Sequence, residues 1–246
     1  TLARGPRGSC RDKALRGAGA GRRDGKLPSM TPSREPFKPT RILIVRHGET
    51  DWNRTRRAQG QIDIPLNEEG RAQARRVSGE LADRRLAAVY SSDLARAADT
   101  ARVIANAHRL EVVLDPAFRE MDQGEWEGLS NEEIKRRWPV QWNDRWRSAR
   151  PGGESPEEVL ERMLNGIGGI ADRHPGDVVA LVGHGAAIRW VVAVALGYGR
   201  DRMAEVRGMG NGGVVAIDVW RDEGELRFDN VERGDGEAPG VEDPNA

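Results

Sequence analysis

The chain has 246 residues, enough for one sizeable domain, with 37% apolar and 32% charged side chains and a formal net charge of zero. A near-neutral body argues against a nucleic-acid-binding domain, which normally presents a basic face, and a single cysteine, Cys10, excludes an intrachain disulfide. The longest apolar run, residues 190–196, is far too short to span a membrane, and no apolar secretory segment precedes it.

The ends differ in charge. Residues 1–40 carry 10 basic and 3 acidic side chains, and residues 221–246 carry 3 basic and 9 acidic. We expect a disordered basic extension over 1–40, an ordered domain over 41–228 and a disordered acidic tail over 229–246. Met30 begins a more ordinary stretch, so residues 1–29 read as an upstream extension. Within the domain, Ile42-Leu43-Ile44-Val45 reads as a central strand. Asn67 is placed to cap a helix to about Arg85, with Ala74, Val77 and Leu81 on one face. A second strand is expected over 86–90 and a helix over 94–107 capped by Asp93. A third strand follows over 111–114. Residues 117–150 are irregular and Trp-rich, with short helices near 130–137 and 139–147. Ser155-Pro156-Glu157-Glu158 is a strong helix start, and that helix reaches about Arg173. A strand over 177–182, a helix to about Leu196 and strands over 214–219 and 226–228 complete the pattern. Strands alternating with helices indicate an α/β protein, a three-layer α/β/α sandwich with a mostly parallel central sheet.

Polar residues sit where such a sheet places its ligands, at the carboxyl ends of strands. Arg46-His47-Gly48-Glu49 follows the first strand, and His47 beside a fixed positive charge is a candidate nucleophile for phosphorus. His184 follows another strand and opens a helix, whose free N–H groups form a ready anion site. Arg96 lies in the first turn of the helix after Ser91-Ser92-Asp93. Glu120 lies in a glycine-punctuated loop. Two histidines, two arginines and a carboxylate on one edge are what phosphoryl transfer through histidine requires.

Four segments carry a resemblance to a known family: Arg46-His47-Gly48-Glu49-Thr50; Ser91-Ser92-Asp93-Leu94-Ala95-Arg96-Ala97; Arg119-Glu120 with Gly124-Glu125-Trp126-Glu127-Gly128; and Gly183-His184-Gly185. In this order, over roughly residues 41–221, they resemble the histidine phosphatase superfamily, in the branch similar to phosphoglycerate mutase. The resemblance implies His47 as nucleophile, Glu120 as proton donor, and Arg46, Arg96 and His184 as the phosphate pocket. It also implies phosphate contacts from Asn53 and Gln59, and we add Gly185 to the substrate-binding set. Family members often form homodimers.

The physical reading agrees. Arginines can grip non-bridging phosphate oxygens with paired N–H groups. At an effective dielectric near 20, a unit charge about 4 Å away contributes roughly 4 kcal/mol of Coulomb energy before desolvation. The same charges disfavour imidazolium and keep His47 neutral. No metal or cofactor is expected, because the arginines supply the cationic clamp. The expected ligand is a small phosphate ester, in the cytoplasm, with neither nucleic acid nor membrane as partner.

Three functions are weighed. A mutase must shield its phosphohistidine from water, and by resemblance carries a longer insertion after the acid loop; here Gly128 and Gly153 are only about 25 residues apart. Gln59-Gly60-Gln61 also resembles the phosphatase form. A phosphatase is therefore expected first, a mutase second and a non-catalytic phospho-ligand binder last, since no core residue is missing. Arg54, Arg56 and Arg57 suggest a substrate with a second negative group. The tryptophans at 126, 138, 142 and 146 read mainly as packing, and His108 and His174 as exposed helix-end histidines.

Overall fold

A computed structural model describes residues 38–198, 202 and 205–233. The expected extension up to residue 37, Cys10 within it, and the acidic tail from 234 onward lie outside these residues.

Six strands form one sheet: β1 (Thr40–Arg46), β2 (Leu86–Ser91), β3 (Val112–Leu114), β4 (Val178–Gly183), β5 (Val214–Asp222) and β6 (Glu225–Arg233), in the order β3-β2-β4-β1-β5-β6. β3, β2, β4 and β1 run parallel, and β5 and β6 are antiparallel additions. Seven α-helices accompany them among the described residues: α1 (Asp51–Arg54), α2 (Glu68–Glu80), α3 (Ala95–His108), α4 (Asn131–Arg137), α5 (Pro139–Asn143), α6 (Pro156–Arg173) and α7 (Gly185–Ala195).

The layers follow from the period-2 alternation of β1. Ile42 and Ile44 pack with Met163, Ile167 and Ile170 of α6 and Trp190 and Val191 of α7. Leu43 and Val45 point the other way, onto Val77 of α2, Leu81 just past its end, and Ala97, Ala101 and Ile104 of α3. Each fully buried aliphatic side chain contributes about 1.5–3 kcal/mol, so a slip of one residue in β1 would invert both cores at once. The expected three-layer, mostly parallel sandwich is the observed one.

Local signals behave as physical chemistry dictates. Ser155 and Glu158 form a capping box at α6, and Pro156 occupies its first turn. Asn67 caps α2 by accepting from the Gly70 amide. Three expectations need correction. Asp93 does not cap α3: its carboxylate is held by Arg119 at 2.7 and 2.6 Å, while the Ala95 amide donates to Asp63. Helix α2 stops at Glu80 rather than Arg85, because the chain must reverse in the following turn to enter β2 at Leu86. The last strand continues to Arg233, past the expected limit of 228, because its hairpin partner β5 offers backbone pairing along that length. Residues 229–233 therefore belong to the sheet and not to the tail.

Candidate active site

Sheet register assembles the site. Arg46 pairs with Gly183 across the parallel β1–β4 ladder, so His47 and His184, the next residue of each chain segment, leave the sheet side by side. Their ring centroids are 5.0 Å apart. The His47 amide donates to the Gly183 carbonyl at 3.0 Å, which extends the ladder by one bond and fixes the ring's origin.

His47 is 3% exposed. Its Nδ1 lies 2.7 Å from the Gly48 carbonyl oxygen. A carbonyl can only accept, so Nδ1 carries the proton in the neutral ring and Nε2 presents its lone pair. Burial first, then the charges of Arg96 and Arg46, push His47 well below the usual imidazole range. The ring is thus neutral and nucleophilic at neutral pH. Gly48 itself is required by crowding: a Cβ there would fall 2.3 Å from the Gly70 carbonyl oxygen.

Two arginines line the same cavity as this ring and act on it through their charge. Arg46, the last residue of β1, donates through Nη1 to the Met209 carbonyl. Arg96, in the first turn of α3, is fully buried and donates to the carbonyls of Ile62 at 2.9 Å and Gly60 at 2.7 Å. Burial lowers Arg96 to about 10, which still leaves it charged at neutral pH. Carbonyls orient this guanidinium without neutralising it.

His184 is the N-cap of α7 and is fully buried, with neither ring nitrogen hydrogen-bonded. Burial, followed by the Arg96 charge, drives it well below the ordinary histidine value. Gly185, the first residue of α7, admits Arg46: a Cβ would lie 3.1 Å from the guanidinium carbon.

Glu120 sits over the same helix end. Its carboxylate accepts from the amides of Met121 (2.9 Å), Ala187 (3.1 Å) and Ala186 (3.2 Å). Its backbone is held by Arg162, a residue of α6. That guanidinium donates to the carbonyls of Ala117 (3.0 Å), Arg119 (2.7 Å) and Glu120 (2.9 Å), and pairs with Glu154 through Nε at 2.8 Å and Nη2 at 2.7 Å. Glu154 in turn accepts from the Asp122 amide at 2.8 Å.

Asn53 and Gln59 lie at the opposite wall. The Thr50 hydroxyl donates to Gln59 Oε1 at 2.9 Å and lies 3.0 Å from Asn53 Oδ1, so both amides are oriented by one side chain. Asn53 also closes a capping box with Thr50. The expected residues thus come together: Arg46, His47, Asn53, Gln59, Arg96, Glu120 and Gly185 line one cavity of about 160 Å³, and His184 lies behind it.

Sequence reasoning missed several supports. Asn211 donates to the His47 carbonyl at 3.0 Å. It lies in Gly210-Asn211-Gly212-Gly213, which leads into β5, and antiparallel pairing sets the start of β5 beside the end of β1. That glycine-rich turn was the available signal. Thr100 accepts from the Gly48 amide at 3.1 Å. Arg162 carried no signal, being one arginine among 35.

The segment between Gly124 and Arg150 covers the cavity. Trp126, Ile134 and Trp142 form its own small core, and Trp52, Trp126, Trp142 and Trp146 all line the cavity. The tryptophans are both packing and wall. Of the expected rim arginines, Arg56 and Arg57 line the cavity, whereas Arg54 is exposed and pairs with Asp51 at 3.0 Å. His108 and His174 are partly buried, not exposed; His174 Nε2 lies 2.9 Å from the hydroxyl of Tyr90 in β2, which holds the ring against that strand's side chain.

The chain is similar to known proteins over this whole domain. It is 39% identical over 155 residues to phosphoglycerate mutase-like protein 4 of Arabidopsis thaliana, covering 60% of this chain and 67% of that one. It is 34% identical over 190 residues to glucosyl-3-phosphoglycerate phosphatase of Mycolicibacterium vanbaalenii, covering 72% and 83%. The solved structure of a mycobacterial glucosyl-3-phosphoglycerate phosphatase complexed with VO3 superimposes with a TM-score of 0.72 at 30% identity, over 78% of this chain and 97% of that one. No helix of the described residues is long and apolar enough to cross a membrane. Residues 42–232 match the family model of the histidine phosphatase superfamily (branch 1), and the chain belongs to that family of phosphatase enzymes.

Proposed function

We propose that the protein hydrolyses phosphomonoesters of small metabolites through a phosphohistidine on His47, without a metal. The observation that carries this reading is the state of His47: buried, held by the Gly48 carbonyl as the tautomer with Nε2 free, and acted on by the charge of two guanidiniums.

His47 Nε2 attacks phosphorus as the P–O bond to the substrate alcohol breaks. The departing oxygen takes a proton from the Glu120 carboxyl. The carboxylate then accepts a proton from water as that water attacks phosphorus. The P–N bond breaks, releasing inorganic phosphate and restoring neutral His47. Phosphoryl transfer depends mainly on positioning and charge stabilisation; Arg46 and Arg96 supply the charge around the non-bridging oxygens, and neutral His184 adds one ring N–H. Asn53, Gln59 and Gly185 complete the phosphate wall.

Hydrolysis is favoured over mutase chemistry by the short segment between Gly128 and Gly153. The test is phosphate release from an aryl phosphate and from phosphoglycerate in the presence of EDTA. Free phosphate is the expected product. Isomerised phosphoglycerate in its place would make the protein a mutase, and activity abolished by EDTA would contradict the metal-free clamp.

A further inference from the structure

Thr50 faces two side-chain amides with one proton. Its hydroxyl oxygen accepts from the Asn53 backbone N–H at 3.1 Å and has a single O–H to give. Two carbonyl oxygens lie within its reach, Gln59 Oε1 at 2.9 Å and Asn53 Oδ1 at 3.0 Å. Thr50 is fully buried, so protein groups decide between them. The orientation of Asn53 does not depend on that choice. The Thr50 backbone N–H, which can only donate, meets Asn53 Oδ1 at 3.1 Å, and Nδ2 is the edge left for the cavity that Asn53 lines. Gln59 has no such anchor. Among the described residues the Thr50 hydroxyl is the one hydrogen-bond partner of its side chain. A hydroxyl can donate to Oε1 or accept from Nε2, so the place of one proton sets which end of Gln59 faces a phosphate.

Asn211 removes the ambiguity. Its Nδ2 donates to the His47 carbonyl at 3.0 Å and to Asn53 Oδ1 at 3.3 Å. Both partners can only accept here, which fixes the nitrogen end of this amide against them. The Thr50 N–H and Asn211 together engage both lone pairs of Asn53 Oδ1. The Thr50 proton is left for Gln59 Oε1, and Gln59 Nε2 joins Asn53 Nδ2 at the cavity. An N–H there stabilises a phosphate oxygen, whereas a carbonyl oxygen in its place repels it. The backbone holds Asn211 to this task. The turn over residues 209–213 wraps the end of β1: the Gly212 N–H donates to the Arg46 carbonyl, and the Arg46 N–H donates to the Gly213 carbonyl, both at 3.0 Å. Gly212 takes a φ of +71°, a conformation open to glycine, to make that turn.

We propose that Asn211 is a positioning residue for the phosphate site. By occupying Asn53 Oδ1 it directs the Thr50 proton to Gln59, so that both wall amides present N–H groups to the phosphate. It acts on Gln59 through two intervening side chains; it makes no hydrogen bond to Gln59 and lies outside the residues that line the cavity. This rests on the reading above in which Asn53 and Gln59 meet the phosphate, and adds the residue that orders them.

The experiment is a double-mutant cycle between Asn211 and Gln59, on the full chain. It is read as the Kd of inorganic phosphate by calorimetry and as kcat/KM for 4-nitrophenyl phosphate. Asn211→Ala should weaken phosphate and lower kcat/KM by roughly tenfold in the wild-type background. In the Gln59→Ala background the same change should cost at most about threefold, the remainder belonging to the His47 carbonyl. The same loss in both backgrounds overturns the proposal, because a residue that only supports the fold acts independently of Gln59. Asn211→Ser, too short to reach Asn53, carries the same cycle if Asn211→Ala does not fold. If Asn53→Ala and Gln59→Ala each leave phosphate binding unchanged, the phosphate-wall reading fails and the proposal with it. If no ester is turned over, the hydrolase reading fails, while the phosphate cycle still decides the role of Asn211.

Discussion

The floor of the cavity and its cover hold arginines in opposite ways. On the floor, Arg96 is fixed by two backbone carbonyls from a distant loop, and His47 and His184 emerge from neighbouring strands in parallel register. These positions depend on contacts far apart in sequence and share the burial of the sheet. In the cover, Arg145 and Arg150 lean on tryptophans and carbonyls of the same short segment. The floor rests on contacts across the whole fold, and the cover rests largely on contacts within one segment.

The largest expected effect falls on the floor. His47→Ala should lower kcat roughly ten-thousand-fold or more, because no other group can carry the phosphoryl intermediate. Steady-state phosphate release checks this; substantial residual turnover would separate the sheet-edge histidine from the chemistry.

Glu120→Gln comes next and sharpens the assignment of the acid. Loss of proton donation should cost roughly 10²–10⁴ in kcat on an alkyl phosphate. The loss should be much smaller on 4-nitrophenyl phosphate, whose leaving group needs no proton. Equal losses on both would move the role to another carboxylate of the loop.

The motifs of the floor were legible because each is a residue type that phosphoryl transfer needs, placed at a strand end or helix start. Arg46, His47, Arg96 and His184 could be found this way. The cover was not legible for the same reason that it is local: arginine and tryptophan at helical spacing read as packing, and only folding shows that Trp126, Trp142 and Trp146 also form a wall. Asp93 misled because a carboxylate before a helix usually caps it, and here a distant arginine, Arg119, takes it first. Arg162 was invisible, since its partners are three successive-loop carbonyls and Glu154, brought together by α6 packing on the sheet.

Arg162 joins the two regions, and its substitution has an intermediate effect. Arg162→Ala should lower kcat roughly ten- to a hundredfold with a smaller change in KM, since it positions Glu120 without reaching the substrate. Arg162→Lys should recover little, because a point charge cannot bridge three carbonyls and a carboxylate. A rise in KM alone would assign Arg162 to substrate binding.

The smallest effect concerns acid stability. Both buried histidines are neutral in the fold and sit well below 6.5. As pH falls through that value the unfolded chain gains protons that the native state refuses. Stability therefore declines with falling pH, by about 1.4 kcal/mol per pH unit for each histidine. Denaturant unfolding between pH 7 and 5 should show a shallower decline in His184→Gln than in the wild type. An unchanged slope would mean that His184 takes up its proton over the same pH range in the folded and unfolded chain.

The most direct test traps the intermediate. Protein mixed with a radiolabelled phosphomonoester, quenched in alkali within milliseconds and mapped by mass spectrometry should carry phosphate on His47, labile in acid and absent from His47→Ala. A covalent phosphate on another residue, or none under conditions where a pre-steady-state burst is seen, would contradict the account.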